Sequence, residues 1–181
     1  MLDSKIVLIT GERQTGKSTL CRKMVQVLDQ SGFDVAGLLT ETVAPHELWV
    51  TEIRSGDRYT LTYPFDSDAG IAMTHFRMNP QAMARSADAL TACFPTDVFI
   101  LDELGPLELK RGQGWIQVIH LLRYQTYRVA FIVVRPTLLV DAMWQLPYSV
   151  YTVVEVNTRN RDTLPSALTR LVQEEITPSE S

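Results

Sequence analysis

The sequence predicts an α/β fold built on a mainly parallel sheet, and three observations carry that prediction. A short apolar run, Lys5 to Thr10, leads through a glycine-bearing turn, Gly11 to Gly16, into a helical pattern starting near Lys17. Further apolar-rich runs at 34–39, 97–101, 129–134 and 150–156 show little polar alternation, as strands buried on both faces do. Helical patterns separate most of these runs, and right-handed crossovers then gather them into one sheet.

Taken in order, Lys5 to Thr10 is the first buried strand. The helix from about Lys17 to Ser31 places Leu20, Met24, Val27 and Leu28 on one face, and Gly32 suits its left-handed C-terminus. Phe33 to Leu39 is the second strand, with Thr40 and Glu41 at its carboxyl end, the edge where doubly wound sheets bind ligands. Glu41 has a plainer reading as a solvated loop carboxylate.

Leu48 to Ile53 and Tyr59 to Tyr63 flank Arg54-Ser55-Gly56-Asp57-Arg58 and read as a β-hairpin. It interrupts the βα alternation, so an antiparallel annex is expected beside the main sheet. Trp49 and Tyr59 read as its packing residues. Residues 64–75 show no period and are expected to form a loop near the site.

Helices are expected over 80–93, 113–125, 136–145 and 162–176. The tail 177–181 is expected to fray. The expected organisation is one nucleotide-binding domain over 1–176, with the hairpin annex at about 47–63. If Val129–Val134 lies between the first strand and the one ending at Asp102, the parallel strands take the order 5-1-4-3-2, numbered along the chain.

Gly11-Glu12-Arg13-Gln14-Thr15-Gly16-Lys17-Ser18-Thr19 carries the chemistry. Its glycines allow a tight turn and close approach of backbone amides to phosphate oxygens. The helix behind it adds the positive end of its dipole. Lys17 is placed to reach β- and γ-phosphates, Ser18 to ligate Mg2+, and Thr19 to continue the turn toward the α-phosphate. The alternative is a glycine-bearing turn with a surface lysine.

Val98-Phe99-Ile100-Leu101-Asp102-Glu103 is an apolar run ending in two acids. A buried strand here delivers Asp102 to the same edge as the loop, where it can hold Mg2+ with Ser18. Glu103 is then positioned to orient or activate a water. Without the loop, the pair would be a solvated acidic turn.

Composition bounds the rest. The 181 residues are 45% hydrophobic and 21% charged, with net charge −4, which argues against a nucleic-acid binder held by bulk electrostatics. Cys21 and Cys93 lack metal-ligand spacing and read as buried free thiols of a cytoplasmic protein. His46, His75 and His120 share no metal or triad spacing. Neither a leader nor a membrane span is expected.

These segments together resemble the small P-loop nucleoside-triphosphatase family, also called the cancer-related nucleoside-triphosphatase family, with this chain as a divergent member. Asp102-Glu103-Leu104-Gly105-Pro106-Leu107-Glu108-Leu109 is similar to that family's Asp-Glu-Ile-Gly-Lys-Met-Glu-Leu. Gly37-Leu38-Leu39-Thr40-Glu41 and Asn160-Arg161-Asp162 resemble two further family segments.

The resemblance implies a RecA-like three-layer sandwich and slow, Mg2+-dependent hydrolysis of several nucleoside triphosphates (ATP, GTP and others) to diphosphate and phosphate. It adds Arg161 as a nucleotide contact and Glu108 as a second-tier candidate beside Glu41. The chain departs from the pattern at Thr42-Val43-Ala44, where the family carries Glu-Val-Arg, with Arg54 and Arg58 as substitutes. It departs again at Pro106, a lysine in the family, and at Val134, where a polar residue is expected. Arg135 is the replacement candidate there. Two other functions stay open on this evidence: a regulatory or partner-binding nucleotide module with little hydrolysis, and a small-molecule or nucleotide kinase. A protein partner or oligomer stays open too.

Overall fold

The computed structural model describes residues 4–147 and 151–176, the side chain of Tyr151 excepted. Strand β1 (Lys5–Thr10) runs into helix α1 (Lys17–Gln30), then β2 (Val35–Ala44), β3 (Glu47–Glu52) and β4 (Arg58–Thr60). Three two-residue strands follow: β5 (Thr62–Tyr63), β6 (Ile71–Ala72) and β7 (Arg77–Met78). The chain continues through α2 (Pro80–Thr91), β8 (Val98–Leu101), α3 (Pro106–Leu109), α4 (Gln117–Tyr124) and β9 (Val129–Val133). A 3-10 turn, Pro136–Leu138, opens α5 (Leu139–Gln145), and β10 (Tyr151–Glu155) and α6 (Leu164–Ile176) close the fold.

The main sheet has the order β10-β1-β9-β8-β2-β3-β4. Its parallel part therefore reads 5-1-4-3-2, the order expected from the sequence. Along β1, Ile6 and Leu8 pack on one face and Val7 and Ile9 on the other, each fully buried. The first pair joins a core with Leu90, Leu121 and Leu122 from α2 and α4. The second joins Leu20, Met24 and Leu28 of α1 and Leu168 and Val172 of α6. Two apolar faces covered by helices make the three-layer sandwich.

Strand β2 runs five residues past Leu39, where the sequence suggested it would stop. Its first part pairs parallel with β8 and its second antiparallel with β3. The expected hairpin is therefore a continuation of the main sheet across β2. Gly37 sits at the parallel pairing with φ 132°, and a Cβ there would lie 1.8 Å from the Ile100 carbonyl oxygen. Only glycine fits that approach.

The apparent strand 59–63 is split. Arg58–Thr60 pairs with β3, whereas Thr62–Tyr63 joins a separate antiparallel sheet of order β5-β7-β6. Buried Leu61 is the joint: its N–H donates to the Leu48 carbonyl, and its own carbonyl accepts from Asn79 N. The supposed loop 64–75 thus supplies β6 of this small sheet.

The helix expected at 113–125 is shorter. Residues before Gln117 instead form a turn held by Glu108, whose Oε2 accepts from Gly105 N and Oε1 from Trp115 N, both at 3.0 Å. Residues 177–181, expected to fray, lie outside the described residues.

Candidate active site

The turn after β1 is shaped by backbone crowding. Gly11 has φ 143°, and a Cβ there would lie 2.4 Å from the Val156 carbonyl oxygen. Gln14 adopts φ 62° inside the turn, and the Thr15 hydroxyl donates to the Glu12 carbonyl at 2.9 Å. Glu12, Arg13 and Gln14 are exposed; Thr15, Gly16, Lys17 and Ser18 are half-buried. Lys17 folds back over the turn, donating to the carbonyls of Gly11 (2.7 Å) and Glu12 (2.6 Å). Partial burial lowers its pKa from the usual lysine value, while the carboxylates of Glu103, Asp102 and Glu12 oppose that shift.

Asp102 lies directly after β8 and is 2% exposed. Burial raises its carboxyl pKa to about 6, and the nearby Ser18 hydroxyl is the largest opposing effect. Thr40 secures the residue twice. Its N–H donates to Asp102 Oδ2 at 3.4 Å, and its hydroxyl donates to the Asp102 carbonyl at 3.0 Å.

Glu103 follows with φ 91°, a left-handed backbone for a non-glycine residue. Its Oε1 forms an ion pair with Arg135 Nε. Val134, just past β9, is fully buried and donates its N–H to the Ile9 carbonyl. The side chain at the expected polar position is therefore core, and the next residue, Arg135, brings the cation to Glu103.

Among the second-tier candidates, Glu108 is 5% exposed, with both oxygens on backbone amides. Burial raises its pKa, against those same N–H donors. Glu41 is exposed on the antiparallel arm of β2, paired with Arg22 (3.2 Å) and Arg58 (3.0 Å). Arg58 also lies over the Trp49 ring, 4.7 Å from its centroid. Arg54 instead pairs with Asp34 before β2 and donates to the carbonyls of Ala92 and Pro95. Of the two hairpin arginines, Arg58 is the one near the carboxyl end of β2.

Arg161 lies against the loop, since a Cβ on Gly16 would meet its Cδ at 3.4 Å. Together with Gly16, Thr19, Leu20, Lys23 and Asp162 it lines a hollow of about 140 Å³. Sequence reasoning passed over Thr40 as a positioning group and Arg22. Arg22 was findable: it stands four residues after Ser18 on α1, so both side chains occupy one helix face.

The remaining candidates are structural. His46 stacks on Phe65 with ring centroids 4.0 Å apart, and its Nδ1 lies 2.6 Å from the His75 carbonyl oxygen. Cys21 and Cys93 are buried free thiols. Among the described residues, no three His, Cys, Asp or Glu side chains cluster as a metal cage. Nor, among them, is any helix long and apolar enough to cross a membrane.

The comparisons with known proteins agree with this geometry. The family described as NTPase matches residues 6–169. A nucleoside-triphosphatase THEP1 from Methanopyrus kandleri is 30% identical over 109 residues, 58% of this chain and 59% of the relative, so that match spans little more than half the relative's length. One from Methanosarcina barkeri is 24% identical over 173 residues, 93% of this chain and 97% of its own. The crystal structure of THEP1 from the hyperthermophile Aquifex aeolicus superposes with a TM-score of 0.65 at 22% identity. It covers 93% of this chain and 99% of that one, a likeness of fold. With the family match running from β1 into α6, and so across the phosphate-loop segment and the strand ending in Asp102, the chain belongs to the NTPase family.

Proposed function

We propose that this protein hydrolyses nucleoside triphosphates to diphosphate and phosphate, slowly and with Mg2+. The observation that carries the reading is a carboxyl, Asp102, buried just past β8 and close to Ser18 and Lys17 at the start of α1, next to a turn of backbone amides. Relatives named nucleoside-triphosphatase support it.

The donor set fits Mg2+. Ser18 and Asp102 offer hard oxygen ligands, and a burial-raised carboxyl is one that a cation would stabilise in its charged form. A site with one carboxylate and one hydroxyl leaves the remaining positions to phosphate oxygens and water, as this ion prefers. When bound, Mg2+ would neutralise charge on the β- and γ-phosphate oxygens.

The chain's own groups do the rest. The amides of residues 11–16 and the start of α1 hold the phosphates. Lys17 leaves its two carbonyl partners to bind β- and γ-oxygens, where its charge is worth more in the reacting state. Glu103 accepts a hydrogen bond from the attacking water and takes its proton. Arg135 holds Glu103 Oε1 meanwhile and draws on its negative charge, which makes the carboxylate a weaker base. A weakened base supports slow turnover.

The phosphate grip ignores the base, so ATP, GTP and other triphosphates are all accepted. A cytoplasmic setting, rich in these substrates and reducing enough for two free thiols, suits the reading.

Replacing Glu103 by Gln tests it. Nucleotide affinity should be retained while phosphate release falls about 10²- to 10⁴-fold. Equal turnover would remove Glu103 from the mechanism. The second reading, a nucleotide-binding module with little hydrolysis, is favoured by the same Glu103–Arg135 pair. Tight binding with no phosphate release from wild type would establish it.

A further inference from the structure

We propose that the chain forms a twofold dimer through the outer edge of β10 and the bare apolar face of α5, the occupant of that surface being a second copy of itself.

Four of the eight large apolar side chains exposed among the described residues lie in these two elements: Val140, Met143 and Trp144 on α5, and Val153 on β10. Trp144 is 76% exposed and Val153 44%. Topology puts them on one side of the sheet. Helix α5 lies in the crossover from β9 to β10, and its buried Ala142 joins the core that holds Leu8. Val153 pairs with Leu8 in a parallel ladder, so its side chain points to that same face. One flank of α5 is already taken. Asp141 pairs with Lys110 at 2.7 Å, and Gln145 Nε2 donates to the Leu109 carbonyl at 3.0 Å, both at α3. Helix α3 follows β8, on the far side of β9 from β10. Met143, about 100° round the helix from Ala142, is on the other flank, toward β10, while Val140 and Trp144 stand outward.

The strand itself ends the sheet. Val156 N donates to the Thr10 carbonyl at 2.8 Å, which turns residue 156 and, by alternation, 154 and 152 toward β1. The N–H and C=O groups of residues 151, 153 and 155 therefore face away from the sheet. Asn160 Nδ2 takes the Glu155 carbonyl at 2.8 Å and marks where the open edge stops. Among the described residues, nothing takes the outward groups of Val153. Sheet edges are ordinarily guarded by lysine, proline or a bulge. Thr152-Val153-Val154 carries none of these and favours the extended state.

The edge is its own complement. Antiparallel pairing about Val153 lets the two copies of that residue exchange both backbone hydrogen bonds and sends the Glu155 carboxylates to opposite ends of the ladder. Parallel pairing would set those carboxylates side by side. An antiparallel pair of identical strands is a twofold, the commonest closed symmetry. Its axis stands normal to the sheet, so both α5 helices come to the same face and flank the Val153 pair. The four exposed side chains amount to roughly 400 Å², the size of patch that marks an interaction site. With the strand edge added, each copy approaches the ~800 Å² that a standard interface takes from one partner. The two phosphate loops then point in opposite directions, and both sites stay open.

The test is sedimentation velocity on the full chain at rising concentration, joined to disulfide trapping. Wild type should pass from 20.5 kDa to twice that mass. Trp144→Glu, at an exposed position, should fold with an unchanged melting temperature at low concentration and need at least about tenfold more protein to dimerise. Val153→Cys should crosslink to a dimer under a mild oxidant, since the pairing sets the two Cα atoms about 5.5 Å apart. Val43→Cys, similarly exposed but on β2, should not, and the native thiols are buried. A monomer at every concentration overturns the proposal and leaves the edge to some other partner. So does a dimer that Trp144→Glu leaves intact, or crosslinking of Val43→Cys as fast as that of Val153→Cys.

Discussion

At the scale of single residues, the site sets two buried carboxyls to different uses. Asp102 has its pKa raised from 3.8 to about 6 by burial, so the folded chain holds that proton more tightly than the unfolded one. Its contribution to stability is complete below pH 3.8 and is lost as pH rises through about 6. In Mg2+-free buffer, Asp102→Asn, which stays neutral, should therefore match wild type near pH 4 and exceed it above pH 7, on the order of 2 kcal/mol. Urea denaturation across that range checks the sign, and a gap that closes with rising pH would contradict it. Glu108 is spent differently, on two backbone donors of the turn before α4. Glu108→Gln keeps one acceptor and sets an NH2 against the other N–H, so it should cost about 1–3 kcal/mol in unfolding free energy. A Glu108→Gln chain as stable as wild type would argue against that assignment. The acids at 102 and 103 and the lysine at 17 were legible because spacing and position on an apolar strand carry that information. The use of Glu108 was not, since nothing in the sequence reveals which amides a buried turn leaves unpaired.

Elements show the same division. Strands β1, β2, β8, β9 and β10 could be read because burial on both faces leaves uninterrupted apolar runs, and their order followed once Val129–Val134 was set between the first strand and the one ending at Asp102. Strands β6 and β7 have two residues each, too short for any period to appear. The extension of β2 through Thr-Glu-Thr-Val-Ala looks like a loop by composition, and only pairing with β3 makes it a strand. The apolar residues Trp115 and Ile116 suggested an earlier start for α4, but the Glu108 turn claims that segment. Close packing of β2 on β8 gives a sharp prediction. Gly37→Ala would push a Cβ to 1.8 Å from the Ile100 carbonyl oxygen and should cost more than about 4 kcal/mol or abolish soluble expression. Gly56→Ala, also at positive φ but with nothing within 4 Å, should cost about 1 kcal/mol. Thermal unfolding of the pair separates crowding from backbone strain, and equal losses would contradict the packing account.

For the whole molecule, the sheet brings its chemistry to one edge: the loop after β1, the acids after β8, Arg135 after β9 and the Arg161 turn after β10. Apolar layers on both faces hold that edge in place, and they also bury Cys21 and Cys93, whose pKa values burial raises, that of Cys93 to about 11. Both thiols should therefore react with a disulfide reagent only as fast as the chain opens. Rapid labelling of the native protein would show the layers to be looser than described. The most direct test of the central claim is phosphate release by wild type from the four ribonucleoside triphosphates, with Mg2+ and with a chelator. The account predicts slow release from all four, and loss of release when the metal is removed. Release that is indifferent to the chelator, or nucleotide binding that never yields phosphate, would contradict it.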